Sequence, residues 1–498
     1  FAVIDRRLHK RDESRDVLEK VKLIKDIRCE NPHRAHVEIL FDLALPVLME
    51  RFSCRDFKGL HEAWRQVLDI DALNDRFYRR IRDWFFLAAQ KVKFPHGGID
   101  DPDVRNRTAL IRLLTRVMFC WFAREKGLIP GHLFEEATAS RVLKKFKPDD
   151  FSDGGYYKAI LQNLFFPTLS VPLDEREFRD GRRYKGKNDH YMDHSRFRHE
   201  DLFQSTDELP GLFEDIPFLN GGLFECLDYR DESLESKECR VDGFSDVKTK
   251  QPTVPNALFF GRGVRADLSD AYGSHKKNDV AVDGLFHILN AYKFTVAENT
   301  PVEQEIALDP ELLGRIFEEL LAEYNVETEA AARKATGSFY TPRIVVNYMV
   351  DQSLAAHLAP RLAQAHPSYT VEKARKQIAA LLEWNDAETG FAPEERQTLA
   401  DAIYDLTVID PACGSGAFPM GMLQKLIFVL GKLDADHRRW IERTLADTPA
   451  ALRDQMREQL RRSNVEYVWK LALIQRAIYG IDIQPIAAQI AKLRCFIS

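Results

Sequence analysis

Two acids and a pair of glycines mark the chemistry this sequence could do. Asp410 opens the run DPACGSGAF (residues 410–418), in which Gly414 and Gly416 leave room for a ligand to approach the backbone closely. A carboxylate at the head of such a loop suits a cationic group, and a helix beginning just after it offers free N–H groups at its positive end. Asp482 lies near the end of AIYGIDI (477–483), where an acid commonly accepts hydrogen bonds from ribose hydroxyls in nucleoside-binding sheets. Upstream, Thr341 and Pro342 close TGSFYTP (336–342) and make a favourable helix start, the threonine as N-cap and the proline as first helical residue.

The elements that must position these residues are legible as hydrophobic patterns. Residues 406–409 (LTVI) read as a short buried strand, and 421–430 (GMLQKLIFVL) as a buried helix with Met422, Leu423, Leu426, Ile427 and Leu430 on one stripe. Residues 477–483 read as the next strand and 484–497 as its helix, with Pro485 tolerated in the first turn. Between the two units, residues 434–475 insert charged, amphipathic helical sequence, so Asp482 lies much further from the glycine loop than the usual spacing of about 20 residues. Residues 343–354 suggest an amphipathic helix carrying Ile344, Val345, Tyr348, Met349 and Leu354. Strand, small-residue turn and helix, repeated, predict the first part of a doubly wound sheet, with ligands taken at the carboxyl ends of its strands.

The nonapeptide Asp410-Pro411-Ala412-Cys413-Gly414-Ser415-Gly416-Ala417-Phe418 resembles the S-adenosylmethionine loop of the amino-methylating DNA methyltransferases, where it cradles the methionine end of the cofactor. A dinucleotide loop fits less well, because Pro419 stands where the third glycine of G-x-G-x-x-G would fall. The resemblance implies cofactor contacts from Asp410, Pro411, Ala412, Cys413, Gly414, Ser415, Gly416 and Phe418, and a ribose contact from Asp482 with Ile483 beside it. TGSFYTP is similar to the motif that, in the members placing it ahead of the glycine loop, closes over the cofactor carboxylate; this implies roles for Gly337, Phe339, Tyr340 and Thr341. With residues 312–325 (LLGRIFEELLAEYN) and 479–494, these motifs occur in the order of the large single-chain, type IIG-like restriction-modification methylases, and residues 16–26, 117–130 and 219–225 also look like theirs. The family transfers a methyl group from S-adenosylmethionine to adenine N6 in duplex DNA.

The same resemblance implies the fold: α/β, with a large helical N-terminal part and a Rossmann-like methyltransferase sheet at the C-terminal end. That sheet is expected to be incomplete, and both ends of the chain read as cut. The expected division is a helical connector at 1–150, a loop-rich connector region at 151–305, a helical lead-in at 306–405 that carries TGSFYTP, and the first part of the methyltransferase domain at 406–498. The family's catalytic Asn-Pro-Pro-Tyr/Phe motif does not occur; the one Asn-Pro is Asn31-Pro32. Catalytic residues and a target-recognition region are therefore expected outside this stretch. Two alternatives stand beside a methylating enzyme: a methyltransferase-like DNA-recognition or interaction scaffold, and a restriction endonuclease-methylase whose nuclease lies elsewhere.

The remaining sequence is read more plainly. Residues 1–5 (FAVID) read as a strand, 12–26 as an amphipathic helix with Val17, Val21 and Ile24 on one stripe, and 31–52 as a helix opened by Asn-Pro. The aromatic stripes at 60–92 and 108–123 read as core, with 94–103 (FPHGGIDDPD) as the loop between them. Residues 182–198 interleave Arg and Lys with Tyr184, Tyr191 and Phe197, a composition that serves either a solvated surface loop or phosphate contact with base stacking. Residues 309–321 are a capped helix, and 371–384 a further one. His33 and His36 match no strong zinc spacing, Asp246-Val247-Lys248 is half of a nuclease pattern without a placed partner, and no metal site is expected.

Length and composition bound these readings. The chain has 498 residues, enough for two to four domains, and 45% of them are hydrophobic, enough for more than one core. A formal net charge of -6 excludes a uniformly basic nucleic-acid binder, so any DNA contact must come from local patches. Seven scattered cysteines form no C-x-x-C pair, and no apolar run is long enough to span a bilayer, so a reduced, cytoplasmic protein is expected. Duplex DNA and other subunits of a restriction or phage-defence system are the expected partners, with no membrane.

Overall fold

The computed structural model describes residues 2–9, 12–27, 29–30, 33–178, 194–205, 209–219, 222–231, 237–296, 299–300, 303–323, 341–385, 389–462 and 465–497. Its contacts divide the chain into two compact units. One comprises Ile24–Glu298, Glu305–Ala332 and Ile497–Ser498; the other comprises Phe1–Leu23, Asn299–Gln304 and Arg333–Phe496.

In the first unit the helix Pro102–Glu125 is the centre. Almost every side chain from Ala109 to Ala123 is buried, so the helix is apolar all round and packs on every face. Trp121 stacks with Phe286 and meets Phe134 and Phe294 at ring distances of 5.5 and 6.3 Å. Trp84, on the helix Ile70–Lys91, is fully buried and donates its indole N–H to the Leu258 carbonyl at 2.6 Å. These contacts make the aromatic stripes core. Asp101 caps the central helix through the N–H groups of Asp103 and Val104, which ends the loop before it. Helix Glu311–Glu323 buries Leu312, Leu313, Ile316, Phe317 and Leu320, as its spacing predicts.

A polar network is buried against the same helix. The Arg116 guanidinium donates to the carbonyls of Leu223 and Glu225 and to both oxygens of Asp242, the shortest of these contacts at 2.7 and 2.8 Å. Asp228 in turn accepts the N–H groups of Asp242, Gly243 and Phe244 and pairs with Arg240 at 3.2 Å. Burial disfavours the charged form of Asp242, but the guanidiniums of Arg116 and Arg112 outweigh it and hold the carboxyl below its usual range.

The second unit opens with an antiparallel hairpin, Ala2–His9 with Asp12–Leu23, to which Glu303–Glu305 adds a third strand beside the second. Helices Arg343–Ala365, Val371–Leu382 and Pro393–Tyr404 follow, then strand Val408–Asp410 and helix Ala417–Leu433. Three further helices, Arg438–Asp447, Arg453–Arg462 and Val465–Ala477, fill the expected insert before strand Ile478–Gly480 and helix Pro485–Ile497. One core joins them, with Leu358, Leu362, Ile378, Leu399, Ile403, Leu426 and Leu430 fully buried.

Several expectations are corrected. Residues 12–23 are a strand and not a helix, paired Val21 to Ile4 and Leu23 to Ala2. Residues 31–52 are two helices, Arg34–Asp42 and Leu45–Phe52, separated where Pro46 enters the first turn of the second; Asn31 and Pro32 lie outside the described residues. The helix after TGSFYTP starts at Arg343, where its apolar pattern begins, but Pro342 and not Thr341 is its N-cap and there is no side-chain cap. Its buried face is Val346, Val350, Leu354 and Leu358, while Ile344, Val345, Tyr348 and Met349 are exposed. Of the basic-aromatic stretch, Phe197 and Arg198 are buried, not solvated, and Tyr184 and Tyr191 lie outside the described residues. Asp246 of the half nuclease pattern is the ion-pair partner of Arg198 at 3.0 Å. Among the described residues no helix is long and apolar enough to cross a membrane.

Replacing Asp242 with Asn would leave a buried guanidinium without its counter-charge, and is expected to destabilise the protein by about 3 kcal/mol or more. Because the folded carboxyl titrates below its unfolded value, its stabilisation is present above about pH 4 and lost as pH falls through the folded value. Urea unfolding followed by tryptophan fluorescence from pH 7 to 3 checks both points: the wild type should lose stability in that acidic window more steeply than the variant.

Candidate cofactor site

Two parallel strands carry the site. Val408 pairs with Ile478, Ile409 with Tyr479 and Asp410 with Gly480, so Asp410 and Asp482 emerge at the same carboxyl edge. The ladder continues into the turn, with the Ile481 N–H donating to the Asp410 carbonyl and the Cys413 N–H to the Ile481 carbonyl, both at 2.9 Å. Gly480 is required by this approach, since a Cβ there would lie 3.0 Å from both Cβ and Sγ of Cys413.

The loop from Asp410 to Gly416 is braced residue by residue. One Asp410 oxygen accepts the Ala412 N–H at 3.1 Å; the other, Oδ2, is buried and has no hydrogen-bond partner among the described residues. The Gly414 N–H donates to Asp482 Oδ2 at 2.8 Å, and the Gln484 N–H to Asp482 Oδ1 at 2.8 Å. The Ser415 carbonyl accepts from Nη1 of Arg494 at 3.0 Å. Gly416, at φ +92°, donates to the Cys413 carbonyl at 2.8 Å, and a Cβ on it would meet the Cβ of Ala491 at 3.0 Å. Both the backbone conformation and the space demand glycine there.

Gly416 then begins helix Ala417–Leu433 without a side-chain cap and without an acid in its first turn. With Pro419 lacking an N–H, the N–H groups of Ala417 and Phe418 are what this helix start presents to an anionic or hydroxyl ligand. Ile481 and Ile483 stand exposed on either side of Asp482, Ile483 at 85%. Burial pushes the Cys413 thiol up, and the carboxylates of Asp482 and Asp410 add to the effect, which favours the neutral thiol.

The chain thus brings together Asp410, Pro411, Ala412, Cys413, Gly414, Ser415, Gly416, Phe418, Asp482 and Ile483 of the expected set. Gly337, Phe339 and Tyr340 lie outside the described residues. Thr341 precedes a helix whose first turns pack on those of the glycine-loop helix: a Cβ on Gly421 would lie 2.4 Å from Cγ1 of Val346. Deeper along the same contact, the fully buried ammonium of Lys425 pairs with Asp351 at 2.9 Å and donates to the Leu382 carbonyl at 2.7 Å. The sequence reading missed Arg494. Its signal was there, a cation four residues after Ile490 on the helix's buried stripe with Leu493 and Ile497.

The donor set fits the zwitterionic end of an amino acid attached to a nucleoside. A buried carboxylate oxygen without a partner calls for a cationic donor, and the uncapped helix start calls for an acceptor. Elsewhere, His194, Cys226 and Asp228 bring ligand-type atoms within 4.8 Å of one another. Four hydrogen bonds already occupy the Asp228 carboxylate, so this cluster organises a loop and leaves little capacity for a metal.

Substituting Gly416 with Ala is expected to cost about 1–3 kcal/mol, because the new Cβ must meet Ala491 in a left-handed conformation. Differential scanning calorimetry should show the loss, and pairing the change with Ala491→Gly should recover only its steric part.

Against known proteins, no family model matches the chain and no solved structure matches it. A protein of Methanocaldococcus jannaschii, named "Putative type II restriction enzyme and methyltransferase", is 23% identical over 392 residues, which is 78% of this chain and 24% of that protein. The chain thus spans about a quarter of the length of this relative. Over most of its residues it is similar to a restriction-modification methyltransferase, at the distance of a remote homologue.

Proposed function

We propose that this chain is the cofactor-binding portion of a DNA methyltransferase that transfers the methyl group of S-adenosylmethionine to adenine N6 in duplex DNA, within a restriction-modification or phage-defence system. The observation that carries the reading is the buried Asp410 Oδ2, without a hydrogen-bond partner among the described residues, at the head of a braced glycine loop and at the carboxyl edge of two parallel strands. The arrangement supports a Rossmann-like sheet, in which ligands sit at that edge.

Asp410 would take the ammonium of the methionine end, and the N–H groups of Ala417 and Phe418 its carboxylate. Asp482 keeps lone pairs beyond those engaged by Gly414 and Gln484, and these would accept the ribose hydroxyls. Exposed Ile483 would cover the purine face. When bound, the cofactor supplies a methyl group already activated by its sulfonium, ready for direct displacement by an amino nitrogen. What the chain's own residues contribute is orientation, which is a large share of the barrier in such a transfer. The adenine must leave the helical stack to reach it.

The relative's name couples methylation to restriction, and this favours a second reading in which a nuclease and the methylase belong to one longer polypeptide. Incubating the full-length protein with unmethylated DNA and labelled S-adenosylmethionine, then digesting to nucleosides, tests the first reading; label on N6-methyladenine is expected. Label on another base, or binding without transfer, would overturn it in favour of a different methylase or a scaffold. Fragmentation of the DNA in the presence of magnesium tests the second.

Substituting Asp410 with Asn should weaken cofactor binding by roughly thirtyfold or more, the loss of a hydrogen bond between a charged pair. Calorimetric titration with S-adenosylmethionine checks this, while an unchanged unfolding midpoint shows the fold is intact.

A further inference from the structure

We infer that Arg494 is a positioning residue for the cofactor loop, holding the Ser415–Gly416 peptide from behind; this rests on the reading of the loop as the S-adenosylmethionine site. Arg494 is 2% exposed, on a stripe otherwise filled by Ile490, Leu493 and Ile497. Burying a guanidinium is costly unless it is well bonded, and an aliphatic side chain would fill that stripe without the cost. Packing alone therefore does not account for an arginine at this position.

One of its partners lies in the loop. Nη1 donates to the Ser415 carbonyl at 3.0 Å. In a trans peptide that carbonyl and the Gly416 N–H point in opposite directions, so fixing one fixes the other. The Gly416 N–H is the donor that closes the turn onto the Cys413 carbonyl. One helical turn away, Ala491 sets the closest approach to Gly416 itself. Asp482 holds Gly414, Arg494 holds Ser415 and Ala491 holds Gly416, so three successive loop residues are each set by the second strand-turn-helix unit.

The test compares two ligands, S-adenosylhomocysteine, which carries the amino-acid end, and 5′-methylthioadenosine, which lacks it. Calorimetric titration uses the full chain and its Arg494→Lys, Arg494→Gln and Arg494→Met variants, well below their unfolding midpoints. Arg494→Met is expected to weaken S-adenosylhomocysteine by about tenfold or more and methylthioadenosine by less than about threefold. Arg494→Lys, which keeps the charge without the planar fork, should restore part of the loss, and Arg494→Gln less. Equal affinity of wild type and all variants for S-adenosylhomocysteine would overturn the proposal. Equal weakening of both ligands together with a lowered midpoint would also overturn it, since that is what general destabilisation produces. If Arg494→Met does not fold, the Lys and Gln variants decide by the same ligand contrast. A wild-type chain that binds neither ligand would instead sink the assignment of the loop to S-adenosylmethionine, an outcome separate from the others.

Discussion

The parallel pairing of Val408–Asp410 with Ile478–Gly480 decides where both acids of the candidate site lie, and it does so across a long gap. Gly414 and Asp482, which hydrogen-bond at 2.8 Å, are 68 residues apart in sequence. Loop-closure entropy grows only slowly with length, so an insert costs little if its own contacts offset its ordering. This one forms three helices and is tied to the unit it interrupts. Asp434 accepts the N–H groups of Arg439 and Trp440 and the Tyr404 hydroxyl, the last at 2.8 Å, and Arg439 forms a two-pronged pair with Asp401. Burial and the neighbouring Asp434 carboxylate push the Tyr404 phenol well above its ordinary range, so it stays a donor. The insert is thereby fastened to helix Pro393–Tyr404, the element that leads into the first strand.

How much of this was legible in the sequence depended on whether two periods could be told apart. The glycine loop was legible because an apolar run, an acid and small residues succeed one another in a way that only a strand-turn-helix satisfies. The strand Asp12–Leu23 was not. Val17 and Val21 are four apart, a spacing that is both one helical turn and two strand repeats, and only the pairing partner Ala2–His9 resolves it. In the helix after TGSFYTP, the sequence IVVNYMV supports two overlapping stripes. The outcome turns on Gly421, whose missing side chain lets Val346 approach, and that is a property of the opposite helix.

The first unit shows a related limit. Its aromatic core was legible residue by residue, because large apolar side chains at helical spacing have few other places to go. The polar network beneath it was not, since Arg116 lies in an apolar helix while Asp242 and the two carbonyls it reaches are over a hundred residues away. Sequence assigns a lone arginine in an apolar run no partner. The same holds for Arg198, which composition alone leaves between a solvated loop and a phosphate contact, and for its partner Asp246.

Arg116 and Arg494 are both buried, yet they stand in different chemical relations to what surrounds them. Arg116 faces Asp242, so charge meets charge, and the pair stiffens the contact between a helix and two loops. Arg494 donates to a backbone carbonyl in a turn already flanked by two carboxylates. On the reading proposed above, Asp410 would supply the negative pole at the strand end and the uncapped helix start the positive one. Such a dipolar loop would recognise an amino-acid end by its two charges at once and discriminate against a nucleoside that lacks them.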